Sequence, residues 1–351
     1  MNYNITIPQE DELALGMLGR FACLNGMSSI SWAISALKSS FAESTDTPVL
    51  WAFAKACGAD SAGFVFRHSM LPVLYPISRY IGSPQAISSE RHLAQIAGLT
   101  TSLATLRWCP DCVFDEKAER GFSHWRRQHQ ISGLDVCSVH QTHLREVPIE
   151  AAIHQPGLRH TEDDHTKQLI DLRVELINPT LERMRQIQFA WLRRQHPYHV
   201  RAWSEVITQR CLELKLRRSE VGKRPVTSDL MQELFPMPWL HKHMPEVATK
   251  QPNAFVKKVD GACIDRHVSY PSLTCAAILA ALFESTDQAL TALDIANHRR
   301  LSTIGTDAST ENALTAFKNG AGLHNACKNH GANIACVESE LREIYRLKST
   351  T

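Results

Sequence analysis

The sequence predicts a mainly α-helical protein with one small zinc-binding module, and three observations support this fold class. Apolar residues recur at the spacing of α-helices along most of the 351 residues. The alternation typical of half-buried β-strands is scarce. Two closely spaced cysteine and histidine pairs lie between residues 106 and 147, where they interrupt the helical pattern. We therefore expect helical regions on both sides of a small metal-binding insert.

The composition is that of an ordinary globular protein. Hydrophobic residues make up 44% and charged residues 21%, which excludes collagen-like and wholly disordered chains. The longest apolar run has nine residues, 275–283, whereas a membrane-spanning helix needs about 20. The first twelve residues have neither the basic nor the apolar region of a secretion signal. These features predict a cytoplasmic protein, whose ten cysteines serve as ligands, nucleophiles or buried apolar residues rather than as disulfides.

Length and patterning predict four regions along the chain. Residues 1–105 form an N-terminal helical domain with helix-turn-helix-like hairpins, and residues 106–147 form the zinc-binding module. Residues 148–250 form a basic helical domain, in which the polar residues 154–166 form an exposed linker. Residues 251–351 form a C-terminal helical domain that ends in a helix-turn-helix-like hairpin.

Helix signals support the N-terminal and central regions. Four short helices are predicted before the zinc module, over residues 13–21, 32–37, 51–57 and 92–97. Glycine follows the last two directly, as expected where a helix ends in the left-handed conformation. Asn178 and Pro179 predict an N-cap and first turn for a later helix. Residues 271–293 are almost entirely helix-forming and apolar, which predicts a buried helical pair.

The C-terminal region carries a helix-turn-helix pattern. Cys327, Gly331 and Val337 lie at offsets where this motif places a small buried residue, a turn glycine and an apolar anchor. The predicted helices are residues 323–329 and 334–345, and Asn333 caps the second. Asn333 and Arg342 would face outward as candidate nucleic-acid or partner contacts.

Two alternatives to DNA binding remain open for this hairpin. Three glutamates on its second helix, Glu338, Glu340 and Glu343, would repel phosphate, so the hairpin could dock on protein instead. Cys327, His330 and Cys336 offer only three donors at irregular spacing, which makes a second zinc site a weak interpretation.

The strongest chemical signal is a pair of metal-ligand motifs. Cys109 and Cys112 form a CxxC, and Cys137 and His140 form a CxxH, with 24 residues between the pairs. Each pair can lie on a tight turn with both donors directed at one ion, which predicts a tetrahedral Cys3His site for Zn2+. Four protein ligands leave no open position, so the predicted zinc is structural. Its binding would supply much of the folding free energy of the module.

The fourth ligand is the least determined, because His143 or His129 could replace His140. A redox interpretation of the CxxC is weaker, since redox pairs usually lie in a βαβ unit and the CxxH would then be coincidental.

A strongly basic stretch lies behind the near-neutral net charge of +2. Residues 183–224 contain eleven basic and three acidic residues, whereas residues 1–150 contain twelve basic and fourteen acidic ones. Such a stretch suits phosphate contacts that position a protein on nucleic acid, although a solvated helix face has the same pattern. The candidate contacts are its densest cations, Arg193, Arg194, Arg217, Arg218, Lys223 and Arg224.

Arg126 and Arg127 are further candidate contacts, because they adjoin Trp125 and could combine phosphate contact with base stacking. The favoured alternative has Trp125 packed over the zinc ligands as the core of the module, with both arginines exposed.

The segment of residues 107–140 carries a distinctive order of motifs: Arg107-Trp108-Cys109-Pro110, then Gly121, Trp125-Arg126-Arg127 and Gly133, and finally Cys137-Ser138-Val139-His140. This order closely resembles the zinc module of the TniQ/TnsD family of transposon target-selection proteins. Weaker similarities surround it: Pro8, Asp11, Glu12 and Arg20 resemble the family's N-terminal opening, and residues 67–72 resemble a segment that precedes its zinc module. No cysteine lies between residues 144 and 157, where longer members have a second zinc site. The chain also lacks the long C-terminal extension of the TnsD type, so it is most similar to the shorter TniQ branch.

This resemblance implies a non-catalytic adaptor that selects where a transposon inserts. Such proteins bind target DNA or dock on an RNA-guided CRISPR Cascade complex, and they recruit an AAA+ ATPase that brings the transposase. Short members linked to CRISPR systems act as dimers, so the resemblance implies a homodimer.

The alternative function is that of a zinc-containing helix-turn-helix transcription regulator, which would explain the same residues apart from the resemblance. An enzyme is disfavoured, because the sequence has no GxSxG, P-loop or HExxH motif and no recognisable acid/base pair.

Overall fold

The computed structural model describes residues 3–42, 44, 46–78, 90–99, 101, 103–157, 178–264, 270–304, 308–332 and 337. Most of these residues are helical, as the sequence predicts. The chain divides into two compact units, residues 1–293 and 294–351, and each is described by itself below. The finer division into four domains stays a prediction.

Six helices and a short strand precede the metal module in the described chain: α1 (Ala14–Leu24), α2 (Ile30–Phe41), α3 (Val49–Ala56), α4 (Ser61–His68), α5 (Leu71–Leu74), β1 (Ile77–Ser78) and α6 (Glu90–Ala97). The four helices predicted here are confirmed. Their apolar faces meet in a buried core, in which the ring of Phe53 lies 6.3 Å from that of Phe21 and 5.8 Å from that of Phe64. Burial of these aromatic rings is the main source of stability of the N-terminal helices.

The metal module is built on a small sheet and one helix. It contains β2 (Thr105–Trp108), α7 (Pro110–Arg120), a 3-10 turn (Gln128–Gln130) and β3 (Arg145–Pro148). Strands β2 and β3 pair antiparallel, with Leu106 opposite Val147. The sequence did not predict these strands, because each has only four residues and β2 is buried along most of its length rather than alternating.

Two glycines of α1 allow the module to pack closely on the N-terminal helices. A Cβ at Gly16 would lie 2.7 Å from Cδ1 of Trp125. A Cβ at Gly19 would lie 1.8 Å from the carbonyl oxygen of Ala152, in the 3-10 helix (Ile149–Ile153) that follows β3. A larger side chain at either position would push the two parts of the first unit apart.

The start of the predicted polar linker is part of the packed structure, which corrects the sequence interpretation. Trp125 donates from Nε1 to the carbonyl of His154 at 2.9 Å, and Ser123 donates from Oγ to the carbonyl of Pro156 at 2.9 Å. Backbone carbonyls can hold a polar segment in place without large apolar side chains, so composition alone did not reveal it. Residues 158–177 lie outside the described residues.

A second helical region completes the first unit. It consists of α8 (Pro179–Arg193), β4 (Tyr198–His199), α9 (Val200–Glu213), α10 (Thr227–Leu234), α11 (Met237–His243), α12 (Pro245–Ala248), α13 (Lys257–Asp260), α14 (Ser272–Leu282) and the start of α15 (Thr286–Ile304). The predicted cap is confirmed, since Asn178 Oδ1 accepts hydrogen bonds from the backbone of Thr180 and Leu181. Strand β4 pairs with β1 in parallel. Nearly every residue of α14 is buried, and this helix packs against α8 as the centre of the region.

The second unit contains α16 (Ala308–Lys318) and α17 (Leu323–His330). Helix α17 ends at Gly331, which has the left-handed conformation predicted for the turn glycine, with φ of 65°. Cys327 and Val337 are both buried in one apolar cluster with Ala313 and Ala326. The first helix of the predicted hairpin is thus present. Of the predicted second helix, residues 334–345, only Val337 is described, and the candidate contacts Asn333 and Arg342 lie outside the described residues.

Within the described residues no single helix is long and apolar enough to cross a membrane. The sharply bent pair α3 and α4 meets that criterion by length and composition alone, and most of its residues are buried or half-buried in the N-terminal core.

Candidate metal centre

The first ligand pair lies at the N-terminus of α7. Cys109 is the N-cap of this helix, Pro110 occupies its first position and Cys112 lies in its first turn. Proline suits this position because its φ is preset for a helix and the missing N–H would have no helical partner. The positive end of the helix dipole favours negative charge there, so both thiols lie where thiolates are stabilised.

The second ligand pair lies on a tight turn between two backbone bonds. The N–H of Cys137 donates to the carbonyl of Thr142 at 2.8 Å, and the N–H of Gln141 donates to the carbonyl of Cys137 at 2.9 Å. Gln141 adopts a left-handed conformation, with φ of 56°, which lets the chain reverse directly after His140. The turn directs Cys137 Sγ and His140 Nδ1 toward Cys112 at the N-terminal end of α7.

The four donor atoms meet in one cluster. The Sγ atoms of Cys109, Cys112 and Cys137 and the Nδ1 atom of His140 all lie within 4.8 Å of one another. Nδ1 of His140 lies 3.6, 3.3 and 3.8 Å from the three sulfurs in that order, and the sulfurs of Cys112 and Cys137 are 3.7 Å apart. A tetrahedral Zn2+ with ordinary Zn–S and Zn–N bonds would separate its ligands by about 3.5 to 3.8 Å. The donor geometry therefore fits a tetrahedral ion of this size.

The electrostatics of the cluster also call for a cation. Hydrogen bonds from Cys112 and Cys137 lower the pKa of the Cys109 thiol, so the first thiolate forms there. The thiols of Cys112 and Cys137 have raised pKa values, chiefly because each lies against Cys109. A positive ion among the three sulfurs would favour the second and third thiolates by lowering these pKa values.

Two side chains outside the ligand set orient it. Nε2 of His140 lies 2.9 Å from Oδ2 of Asp115, one turn along α7 from Cys112, so the ring presents Nδ1 to the sulfurs. Oγ1 of Thr142 lies 3.2 Å from Sγ of Cys109, within reach to donate to a thiolate. A carboxylate behind a ligating histidine fixes its tautomer and its orientation. Neither Asp115 nor Thr142 was predicted from the sequence.

The alternative histidines lie outside the four-atom cluster. Nε2 of His129 is 3.7 Å from the sulfur of Cys137 and 3.9 Å from that of Cys112, which suits an N–H donor to thiolates. Burial lowers the pKa of His129 to about 3, so this ring is neutral. Both ring nitrogens of His143 are buried without a hydrogen-bond partner among the described residues. Of the three histidines, His140 therefore has the geometry of a ligand.

The surroundings of the ligands differ from the sequence prediction for Trp125. Its buried ring packs against Gly16 of α1 rather than forming a core over the ligands. The apolar cluster around the ligands consists of the three cysteines themselves and Leu144. Trp125 thus packs the module against the N-terminal helices, and the ligand cluster forms a small buried cluster of its own.

Buried polar groups complete the module and tie it to the second helical region. Arg107 donates to the carbonyls of Ile131 and Leu134, and its guanidinium lies 3.6 Å from the carboxylate of Asp135. Asp135 also pairs with Lys242 at 2.9 Å and with His243 at 2.8 Å, both on α11. Burial raises the pKa of Asp135, but bonds from His243 and Lys242 outweigh it, so this pKa is lowered and the carboxylate stays charged.

The TniQ family model matches residues 6–144, which include the N-terminal helices and all four donor residues. The chain therefore contains a TniQ domain. The matched TniQ domain covers less than half of the sequence and ends before β3. TniQ proteins are associated with transposition, so the family supports the function class implied by the motif resemblance. No curated protein matches the chain.

Within the TniQ domain, the weakly similar segments meet the zinc-module string. Arg127 donates to the carbonyls of Phe66 and Ser69 at 2.7 and 3.0 Å and pairs with Asp11 at 3.3 Å. His68 bonds through Nδ1 to the carbonyl of Glu12 at 3.0 Å. Three segments that are far apart in sequence thus converge on one buried arginine.

This arrangement assigns structural contacts to Arg126 and Arg127. Arg127 is buried, with 6% exposure, and it holds backbone carbonyls, which corrects the expectation of an exposed side chain. Arg126 donates from Nε to Glu116 at 2.6 Å, and Glu116 also accepts from the backbone of His124. Burial raises the pKa of Glu116, but bonds from His124 and the charge of Arg126 lower it to about 2, so the pair is ionised. Contact of Arg126 or Arg127 with nucleic acid or a partner stays a prediction.

The candidate contacts of the basic stretch divide into two kinds. Arg217 donates to the carbonyls of Gly222 and Asn253, Arg218 donates to that of Cys263, and Arg194 donates to that of His196 and stacks on Tyr198. These three cations stabilise loops. Arg193, Lys223 and Arg224 are exposed. Exposed cations are the ones most available to a partner, and nucleic-acid or partner contact stays a prediction for all six residues.

Proposed function

We propose that this TniQ-family protein is a transposition target-selection adaptor of the shorter TniQ type. In this role it links a targeting platform, either DNA or an RNA-guided Cascade complex, to an AAA+ transposition ATPase, and no step of it requires catalysis. The observation that carries the proposal is the TniQ domain over residues 6–144, with a complete Cys3His donor set inside it. A homodimer that works in the cytoplasm, where the target DNA lies, is the assembly we propose.

We propose one structural Zn2+ for the cluster, held by Cys109, Cys112, Cys137 and His140. Three thiolates and one imidazole suit zinc better than calcium or magnesium, which prefer oxygen ligands. Four protein donors leave no position for substrate or water. The ion would therefore hold the N-terminus of α7 against the turn of residues 137–142. It would thereby stabilise the surface that the TniQ domain presents to partners.

The test is reconstitution with candidate partners. The tagged protein should retain the AAA+ ATPase and a Cascade-type complex encoded beside it, and it should form a dimer in multi-angle light scattering. If neither partner is retained and the protein alone protects a defined DNA site from nuclease, the adaptor proposal is wrong and the helix-turn-helix regulator replaces it.

A matched pair of variants makes this test specific. Lys223→Glu with Arg224→Glu reverses the exposed cations of the basic stretch and should weaken DNA or ribonucleoprotein contact, provided that this stretch contributes. Glu213→Lys with Glu220→Lys adds charge to the same stretch and is the control, because it should leave that contact intact or strengthen it. Unchanged binding in both variants would remove the basic stretch from the interface.

A further inference from the structure

A large cleft lies where three parts of the first unit meet. Its volume is about 1070 Å³, which exceeds the range typical of small-molecule pockets. One wall is the end of α4, a second is the end of α8, and a third is formed by residues 8–11 and 126–128. The walls are held together by contacts already described and by Phe66, whose ring lies 6.3 Å from that of His196. The cleft is therefore built by the fold rather than by loose loops.

The charges in the cleft are unbalanced in favour of cations. Arg127 is paired with Asp11, and Arg120 is paired with Glu119. Arg67 and Arg193 are exposed, and neither forms an ion pair with a carboxylate of the described residues. Arg67 is in the last turn of α4, where its Nε donates to the carbonyl of Gly63, and Arg193 is the last residue of α8. Two guanidinium groups with free donors thus line one cleft.

Apolar and amide groups lie between these cations. Phe66 precedes Arg67, and Phe189 and Leu192 lie on the last turn of α8 near Arg193. The amide side chains of Gln128 and Gln195 also line the cleft. Arginines recognise carboxylates in forked geometry, aromatic and aliphatic surfaces receive apolar side chains, and amides pair with peptide groups. The lining is that of a peptide-binding groove.

We propose that this cleft binds an extended acidic segment of a partner protein, in which carboxylates alternate with apolar side chains. Arg67 and Arg193 bind the carboxylates, and the half-buried rings of Phe66 and Phe189 bind the apolar side chains. The proposal goes beyond the metal site and the adaptor role, because it uses no property of the bound ion and names the chemistry of a partner.

A nucleic acid suits the cleft less well. A strand carries a phosphate at every nucleotide, and its affinity depends on an unbroken row of cations. In the cleft, Glu10, Asp11 and Glu119 stand beside the arginines, and Glu10 is exposed. Fixed carboxylates would repel a continuous row of phosphates, whereas a peptide can place its few acids opposite Arg67 and Arg193.

Fluorescence anisotropy on the full-length protein tests the proposal with three labelled probes. These are a short peptide of alternating aspartate and leucine, its lysine and leucine counterpart, and oligo(dT). The acidic peptide should bind in preference to both other probes, with an affinity that falls as salt is added. Arg67→Glu with Arg193→Glu should weaken its binding at least tenfold. Phe189→Ala should weaken it without changing the salt dependence.

The matched control reverses two exposed cations outside the cleft, Lys223→Glu with Arg224→Glu, and it should bind the acidic peptide like the wild type. Circular dichroism and metal content establish that each variant is folded. Equal binding of the acidic peptide by the Arg67 and Arg193 variant would overturn the proposal. So would absence of binding at millimolar peptide, or preferred binding of oligo(dT) that the same two reversals abolish. None of these outcomes depends on the ATPase or Cascade complex, so failure here is distinct from failure of the adaptor role.

Discussion

The N-terminal helices and the metal module belong to one TniQ domain, yet they are stabilised by different means. The helices bury a continuous apolar core around Phe21, Phe53 and Phe64. The module has a buried cluster made of its own three cysteines and Leu144, and half of its remaining buried residues are charged or polar, such as Arg107 and Asp135. Apolar burial stabilises the first region whether or not a metal is present, whereas we expect the second to depend on bonds to an ion. Changes in one region should therefore leave a different signature from changes in the other.

Loss of one thiolate ligand should have the largest effect on the module. Cys109→Ser removes a sulfur from the cluster, and a structural zinc of the proposed kind stabilises its fold by about 10 kcal/mol. We expect the protein to lose its metal and the module to unfold, while the N-terminal helices retain their secondary structure. Metal analysis and limited proteolysis provide the measurement. Cys275→Ser is the control, because Cys275 is a buried thiol of α14 outside the cluster and its variant should keep the metal. Stoichiometric metal in Cys109→Ser would sink the ligand assignment.

Removal of an aromatic ring should have the next largest effect, in the opposite region. Phe53 is fully buried between Phe21 and Phe64, so Phe53→Ala should lower the free energy of unfolding by about 3 to 5 kcal/mol. Metal content should stay unchanged, because Phe53 belongs to the apolar core and not to the ligand cluster. Chemical denaturation monitored by circular dichroism gives the change. A variant that unfolds no more easily than the wild type would contradict the account of the N-terminal core.

The smallest of the three effects is expected for Asp115. Asp115→Ala removes the carboxylate that holds Nε2 of His140, and it should weaken metal binding about 10- to 100-fold without abolishing it. Chelator competition measures the affinity, and the visible spectrum of the Co2+-substituted protein reports the change in ligand orientation. Asp115→Asn should recover part of the affinity, since an amide oxygen can still accept from Nε2.

Glu119→Ala is the control for this variant, because Glu119 is an exposed acid on the same helix that pairs with Arg120 instead. An Asp115→Ala variant with the affinity and spectrum of the wild type would mean that the carboxylate does not position His140.

The part of the structure that could be predicted from sequence is the part that depends on signals between residues close together in the chain. Helix periodicity, Asn178 as an N-cap and glycines after helices are local signals, and the elements they predict are present. Cys109, Cys112, Cys137 and His140 could be recognised because ligand spacing is also local. Pro110 and Gly121 are equally local signals, because they mark the start and the end of α7. This helix places Asp115 one turn from Cys112.

Interactions between distant segments could not be read in the same way. Arg126 and Arg127 are adjacent basic residues next to a tryptophan, a pattern that suits nucleic-acid contact. In the structure, Arg126 pairs with Glu116. Arg127 donates to the carbonyls of Phe66 in α4 and of Ser69, the residue after this helix. Arg217 and Arg218 likewise bind carbonyls that are 5 to 45 residues away in the chain. The sequence shows how many charged residues a segment has, but not which of them pair with other groups of the folded chain.

The central claim is that a metal ion in the Cys3His cluster stabilises the module of the TniQ domain independently of the N-terminal core. Hydrogen exchange measured by mass spectrometry, before and after removal of the metal with a chelator, tests it most directly. The account predicts one metal ion per chain, and faster exchange after chelation in residues 109–144 with little change in α1 and α3. Unchanged exchange in residues 109–144 after complete removal of the metal, or a purified protein that binds none, would contradict it.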